Sequence, residues 1–248
     1  MAGKAASFTT TLARDFPGAV PTNQFVLATQ DALKDHGVHR GSALPLIATC
    51  RDELAFALTA ELQRAWGPGF NMAGLAGLLT LGRTGIAAAR QHAPIVADRR
   101  TFVVVGLTHV GVDDEGTIGN CERPGVPGTS KTCGALMALH DAIRGGDAHT
   151  SDYPYLDPDD PEQSRLRERI TPHVADPEKV DLLDITRIAR DLIGQDVDTV
   201  VQVLRDQEIP ADVAVFTGIH IHGPRGAEYV DVAQSYFDRG GEIVQLEL

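Results

Sequence analysis

Two cysteines and one histidine stand where an α/β chain does its chemistry. Residues 44–49 are apolar and partly β-branched, the pattern of a strand buried on both faces. Cys50-Arg51-Asp52-Glu53 follows at once, and then AFALTAELQRAW, which reads as a helix. His109 closes a second strand, TFVVVGLTHV at 101–110, and Cys133 opens the helix CGALMALHDAIRGG. Parallel strands bring their carboxyl ends to one rim, so separation along the chain is no obstacle to a shared site. Two thiolates and one imidazole are the donors of a catalytic zinc, which keeps a fourth position open. A helix N-terminus lowers the pKa of Cys133 and favours the thiolate. Asp52 lies close enough to Cys50 to be a fourth ligand or to handle a metal-bound water.

Other readings of the same residues stay open. A lone buried cysteine is commonly a small hydrophobe, and a strand-end histidine can be structural. Cys121 is an alternative to Cys133, although it sits mid-loop without a helix dipole. His220 and His222 end a third strand, and alternation points both rings to one side. They are a rival metal pair, support for other ligands, or plain polar tips. His92 and His140 have the right pKa range for a proton shuttle but nothing further to recommend them. A thiolate phosphatase would need an arginine six residues after Cys50, where Phe56 stands.

The elements that must position these groups alternate along the chain. Residues 1–23 read as an irregular arm with Pro17 and Pro21. A helix at 24–36, the strand at 44–49 and a helix at 52–65 follow. The Gly-rich segment 70–92 reads as helical in its second half. After the strand at 101–110 come a Gly/Pro-rich loop at 122–132, a helix at 133–146 and an acidic loop at 147–163. Helices at 161–172 and 182–206 precede a strand at 212–221, a short helix at 228–238 and a last strand at 242–248. This order predicts one domain of α/β class, with a central, mostly parallel sheet flanked by helices.

The 248 residues are 43% hydrophobic and 23% charged, a globular composition. The longest apolar stretch, 71–89, is broken by four glycines and an arginine and is not a membrane helix. The first residues carry no secretory pattern, so a cytoplasmic protein is expected. A net charge of −12 disfavours nucleic acid and anionic membrane as partners. Three cysteines suggest free thiols or metal ligands rather than a disulfide framework.

Four segments together resemble the LCIB/LCIC family, the limiting CO2-inducible proteins that are similar to β-class carbonic anhydrases. They are C-R-D-E at 50–53; F-N-M-A-G-L-A-G at 70–77, running into G-R-T-G at 82–85 and Q-H-A-P at 91–94; T-H-V-G-V-D-D-E-G at 108–116 with E-R-P-G at 122–125; and T-C-G-A at 132–135. The resemblance implies a β-carbonic-anhydrase-like fold, a homodimer, and Zn2+ held by Cys50, His109 and Cys133, with Asp52 as the catalytic carboxylate. It implies reversible hydration of carbon dioxide to bicarbonate. A catalytically silent bicarbonate-binding or assembly protein, and a carbon disulfide or carbonyl sulfide hydrolase, are the alternatives on the same site. One departure stands out: the β-class motif C-x-D-x-R would place an arginine where Leu54 stands, and a slightly later position is taken by Phe56. Arg51, Arg83 and Arg123 are the candidates to pair with Asp52, with Arg83 and Arg123 favoured.

Overall fold

The three apolar runs pair side by side at the centre of a mixed sheet. The computed structural model describes residues 7–79, 82–146, 157–205 and 208–248. Strand β1 is Val20–Pro21, β2 Leu44–Ala48, β3 Phe70–Asn71, β4 Ile95–Val96 and β5 Arg99–Gly111. A separate two-stranded hairpin joins β6, Asn120–Glu122, to β7, Thr129–Lys131. β8 spans Ala211–His222, β9 Glu228–Arg239 and β10 Glu242–Gln245. The main sheet runs β1-β9-β8-β5-β2-β3, with β10 also on β9 and β4 on β5. β3, β2, β5 and β8 are mutually parallel, and β9 turns back antiparallel to β8.

Helices cover both faces. They are α1 Phe8–Asp15, α2 Thr22–Lys34, α3 Phe56–Trp66, α4 Arg83–His92, α5 Gly134–Gly145, α6 Pro161–Ile170 and α7 Leu182–Arg205. On one face α7 packs Ile193, Val197 and Val201 against Val104, Val213 and Val215. It comes close because β5 carries Gly106 there; a Cβ would stand 2.7 Å from the Ile193 Cγ2. On the other face Phe25 and Leu33 of α2 and Leu58, Leu62 and Trp66 of α3 meet Val103, Val105 and Phe216. Each such side chain, wholly buried, contributes about 1.5–3 kcal/mol. β8 is buried along its whole length and ends in His220 and His222 without reaching solvent.

The expected α/β class and central parallel strands hold, and four local readings need correction. The arm contains α1, whose Phe8 packs with Val110, Val112, Ile219 and Ile221 over the strand ends. Residues 228–238 form a strand, not a helix. β9 carries a bulge: Thr217 faces Gln234 and Gly218 faces Val232, so Ala233 has no partner. That extra residue shifts the alternation by one and leaves Val230 and Phe237 seven apart on the same packed face, which imitates helical spacing. The loop at 122–132 contains the β6–β7 hairpin. The helix expected from 52 begins as a single 3₁₀ turn at Glu53–Ala55. The acidic loop at 147–163 falls largely outside the described residues, and its end already belongs to α6.

Candidate metal centre

Three side chains converge at the carboxyl ends of the parallel strands. Cys50 lies two residues past β2, at an isolated parallel bridge to Gly74. His109 is near the end of β5, and Cys133 is the residue before α5. One ligand atom from each lies within 4.8 Å of the others, and all three residues are buried. The two sulfurs are 3.7 Å apart. The Nδ1 of His109 is 3.0 Å from Nε2 of His222, and its own Nε2 is buried without a hydrogen-bond partner. A buried imidazole nitrogen without a partner is costly, and beside two thiols it suits a metal ion. The donor set therefore fits the group that the fold calls for.

The thiols already lean toward ligation. In the metal-free pair Cys50 ionises first, helped by the Cys133 thiol against the opposing effect of burial, and by His109. The Cys50 thiolate, with burial, then holds the second proton on Cys133. The backbone N–H groups of Leu136 and Ala135, in the first turn of α5, work the other way and favour the Cys133 thiolate. A cation between the sulfurs removes the like-charge obstacle.

Asp52 and Arg123 form the second half of the site. Nη1 of Arg123 donates to Oδ1 of Asp52 and Nη2 to Oδ2, each at 3.1 Å. The Leu54 N–H also donates to Oδ1, at 3.1 Å. Burial pushes the Asp52 carboxyl up, but the Arg123 fork and the Leu54 N–H outweigh it and bring it to about 2. The hairpin fixes Arg123 in turn: its Nε donates to Ser130 Oγ at 2.8 Å and its Nη2 to the Lys131 carbonyl at 3.0 Å. Glu53 pairs with the same guanidinium from outside. Asp52 is not among the side chains grouped within 4.8 Å around the two sulfurs.

The other candidates lie elsewhere. Arg51 turns outward to Glu162, with Nη2 2.7 Å from Oε1. Arg83 is exposed at the start of α4 and has no part in the Asp52 pairing. Cys121 is buried on β6 with its sulfur against Thr132 Oγ1, outside the three-residue group. His92 is exposed near the Phe70 ring, and the His140 Nε2 is 3.3 Å from the Val180 carbonyl. His220 and His222 are buried and point to one side as alternation requires; their rings are 4.2 Å apart. Glu228, which pairs across with His222 in β9, has carboxylate oxygens 3.6 Å from each of them. Sequence reading misses Glu228 because it puts 228–238 in a helix; the signal available was a carboxylate six residues beyond a strand-end histidine pair. Burial, with the neighbouring His220, lowers His222 to about 3. Burial raises Glu228, but the two imidazoles outweigh it and hold the carboxyl at about 2.

Fold and site together define an α/β protein with a buried Cys-His-Cys cluster and a carboxylate–guanidinium pair at its rim. The family profile of the limiting CO2-inducible proteins B/C β carbonic anhydrases matches residues 19–238, and the chain belongs to that family. No curated protein matches the sequence. Among solved structures, the limiting CO2-inducible protein LCIB is similar at 28% identity and a TM-score of 0.77, covering 95% of this chain and 97% of that one. PtLCIB4, a homolog of LCIB, shares the fold at 24% identity and a TM-score of 0.83, covering 97% of this chain and 100% of that one.

Proposed function

We propose that this chain is a zinc enzyme that reversibly hydrates carbon dioxide to bicarbonate. Cys50, His109 and Cys133 would hold the metal. The observation that carries the reading is the two-point grip of Arg123 on Asp52. The arginine absent from positions 54 and 56 is replaced, from another part of the chain, by one on the β6–β7 hairpin. With Asp52 so engaged, the three ligands leave a position for water, the arrangement of a catalytic centre rather than a closed structural one.

Zinc bound there would supply an acidified water near neutral pH. The protein's own part follows from the geometry. Asp52, ionised and fixed by three hydrogen bonds, can only accept. It takes a proton of the reacting water into a hydrogen bond and sets which lone pair faces the substrate. Met72, Ala76, Leu78 and Leu79 are buried in one apolar cluster with Cys50 and Cys133. They give carbon dioxide, which has no net dipole, a dry surface and keep bulk water out. Bicarbonate, being charged, is held poorly by that surface and leaves, and the proton set free in the hydration passes to solvent. His92 and His140 make no contact with Asp52 and receive no role.

We also place the protein as a homodimer, in keeping with the family resemblance and with the exposed Leu27 and Phe56 on the α2 and α3 side. Sedimentation at micromolar concentration tests that point alone. The function is tested by stopped-flow carbon dioxide hydration with the zinc-loaded protein, and with carbon disulfide and carbonyl sulfide in parallel. Carbon dioxide turnover lost in Cys133→Ser supports the reading. Turnover of only the sulfur substrates moves the chemistry to the hydrolase alternative. One bound zinc with no turnover of any of the three would leave a silent bicarbonate-binding protein.

A further inference from the structure

Behind His109 lies a row of polar groups that the hydration chemistry does not use. His109 and Gly111 on β5 are in register with His220 and His222 on β8, and His222 is in register with Glu228 on β9. The four side chains of His109, His220, His222 and Glu228 therefore share one face of the sheet, at its carboxyl rim. The contacts run in order. His109 Nδ1 is 3.0 Å from His222 Nε2, with the rings at 88°. His222 Nδ1 is 3.6 Å from Glu228 Oε1, and His220 Nε2 is 3.6 Å from Glu228 Oε2. His109 Nε2 is left bare beside the thiols.

We propose that Glu228 and His222 are positioning residues that act through His109, fixing the tautomer that offers its Nε2 lone pair to the metal. The inference rests on the metal-centre reading above. Donors and acceptors alternate along the row. An ionised carboxylate only accepts, so each imidazole nitrogen that faces Glu228 carries its proton toward it. At 3.6 Å these are contacts of charge with an N–H dipole rather than closed hydrogen bonds, but a lone pair aimed at the carboxylate would be repelled. A neutral His222 with its proton on Nδ1 has a bare Nε2. That nitrogen must accept from His109, so His109 carries its proton on Nδ1 and leaves Nε2 free. Metal-bound histidines commonly donate their other N–H to a carboxylate or carbonyl. Here a histidine is interposed, and the carboxylate stands one ring further back. The second oxygen of Glu228 faces His220 Nε2 at the same 3.6 Å, and neither that nitrogen nor His222 Nδ1 has a closer hydrogen-bond partner.

The chain can be read without metal. In the metal-free protein, long-range proton–nitrogen NMR should show His109 with its proton on Nδ1; a proton on Nε2 overturns the proposal. Zinc affinity, measured by competition with a chromophoric chelator, should fall about 10–100-fold in Glu228→Ala. Glu228→Gln should retain most of the affinity, because its amide oxygen can still accept from His222. A merely structural role would lower the melting temperature of the metal-free variants without moving the His109 tautomer. Unchanged zinc affinity in Glu228→Ala would overturn the proposal. So would a second zinc lost with that substitution, since a metal at His222 Nδ1 reverses the donor order. A wild-type protein that takes up no zinc would instead sink the metal centre itself, and the tautomer measurement would still test the chain.

Discussion

Arg123 and Asp52, 71 positions apart in sequence, face each other as a fork on a carboxylate, with two N–H···O contacts of 3.1 Å each. The planar guanidinium matches both carboxylate oxygens at once, which a point charge cannot do. Arg123→Lys keeps the charge and loses the fork. Both it and Arg123→Ala should lower kcat/KM for carbon dioxide hydration by about 10–100-fold while the protein still binds one zinc. Equal activity in Arg123→Ala, measured by stopped flow, would remove Asp52 positioning from the mechanism.

In the proposed centre Cys133 would be a ligand, and it is also the residue on which α5 begins. Cys133→Ser exchanges a soft thiolate for a weakly acidic hydroxyl that binds zinc poorly. Elemental analysis after dialysis should give close to one zinc per wild-type chain and much less in the variant. Cys121→Ser, outside the cluster, should retain zinc as the wild type does.

The buried histidines make the metal-free protein sensitive to acid. His222 is depressed from the ordinary 6.5 to about 3, by burial first and then by His220, and burial also lowers His220. Between those values the unfolded chain binds a proton that the folded chain refuses, so stability rises with pH. The stabilisation is complete above pH 6.5 and is lost as pH falls toward 3. For each such imidazole the slope approaches about 1.4 kcal/mol per pH unit. Urea midpoints of the metal-free protein should therefore drop from pH 7 to pH 5. A flat profile would mean that these rings accept protons in the folded state.

Gly77 sits at φ +81°, and a Cβ there would stand 2.2 Å from the Leu107 carbonyl oxygen, two residues before His109. Gly77→Ala combines a disfavoured backbone with a clash against a central strand. It should destabilise by about 1–3 kcal/mol, visible as a lower melting temperature. An unchanged melting temperature would show that the Gly-rich segment does not bear on the end of β5.

Most of the candidate centre is legible in the sequence because its three donor residues end strands or begin a helix, and parallel strands align those ends. Cys50, His109 and Cys133 could be grouped without any knowledge of contacts. The arginine could not be singled out. Arg123 reaches Asp52 only because E-R-P-G enters the turn of a hairpin whose two strands have three residues each, too short to carry a periodic signal. Arg83 had as good a claim as Arg123 until its exposed place at the start of α4 set it apart, and Arg51, the lesser candidate, turns out to Glu162. β9 was hidden by its bulge, and with it Glu228. The fold class survived that error because the three central parallel strands, β2, β5 and β8, rest on apolar runs already read as strands.

The atoms that surround the metal decide whether the proposed centre exists. Crystals of the zinc-loaded protein at neutral pH, with diffraction recorded on either side of the zinc absorption edge, locate the ion directly. The predicted result is one peak bonded to the sulfurs of Cys50 and Cys133 and to Nε2 of His109, a fourth position free of protein atoms, and Asp52 still on Arg123. A peak elsewhere, or one with the Asp52 carboxylate in fourth place and Arg123 released, would contradict it.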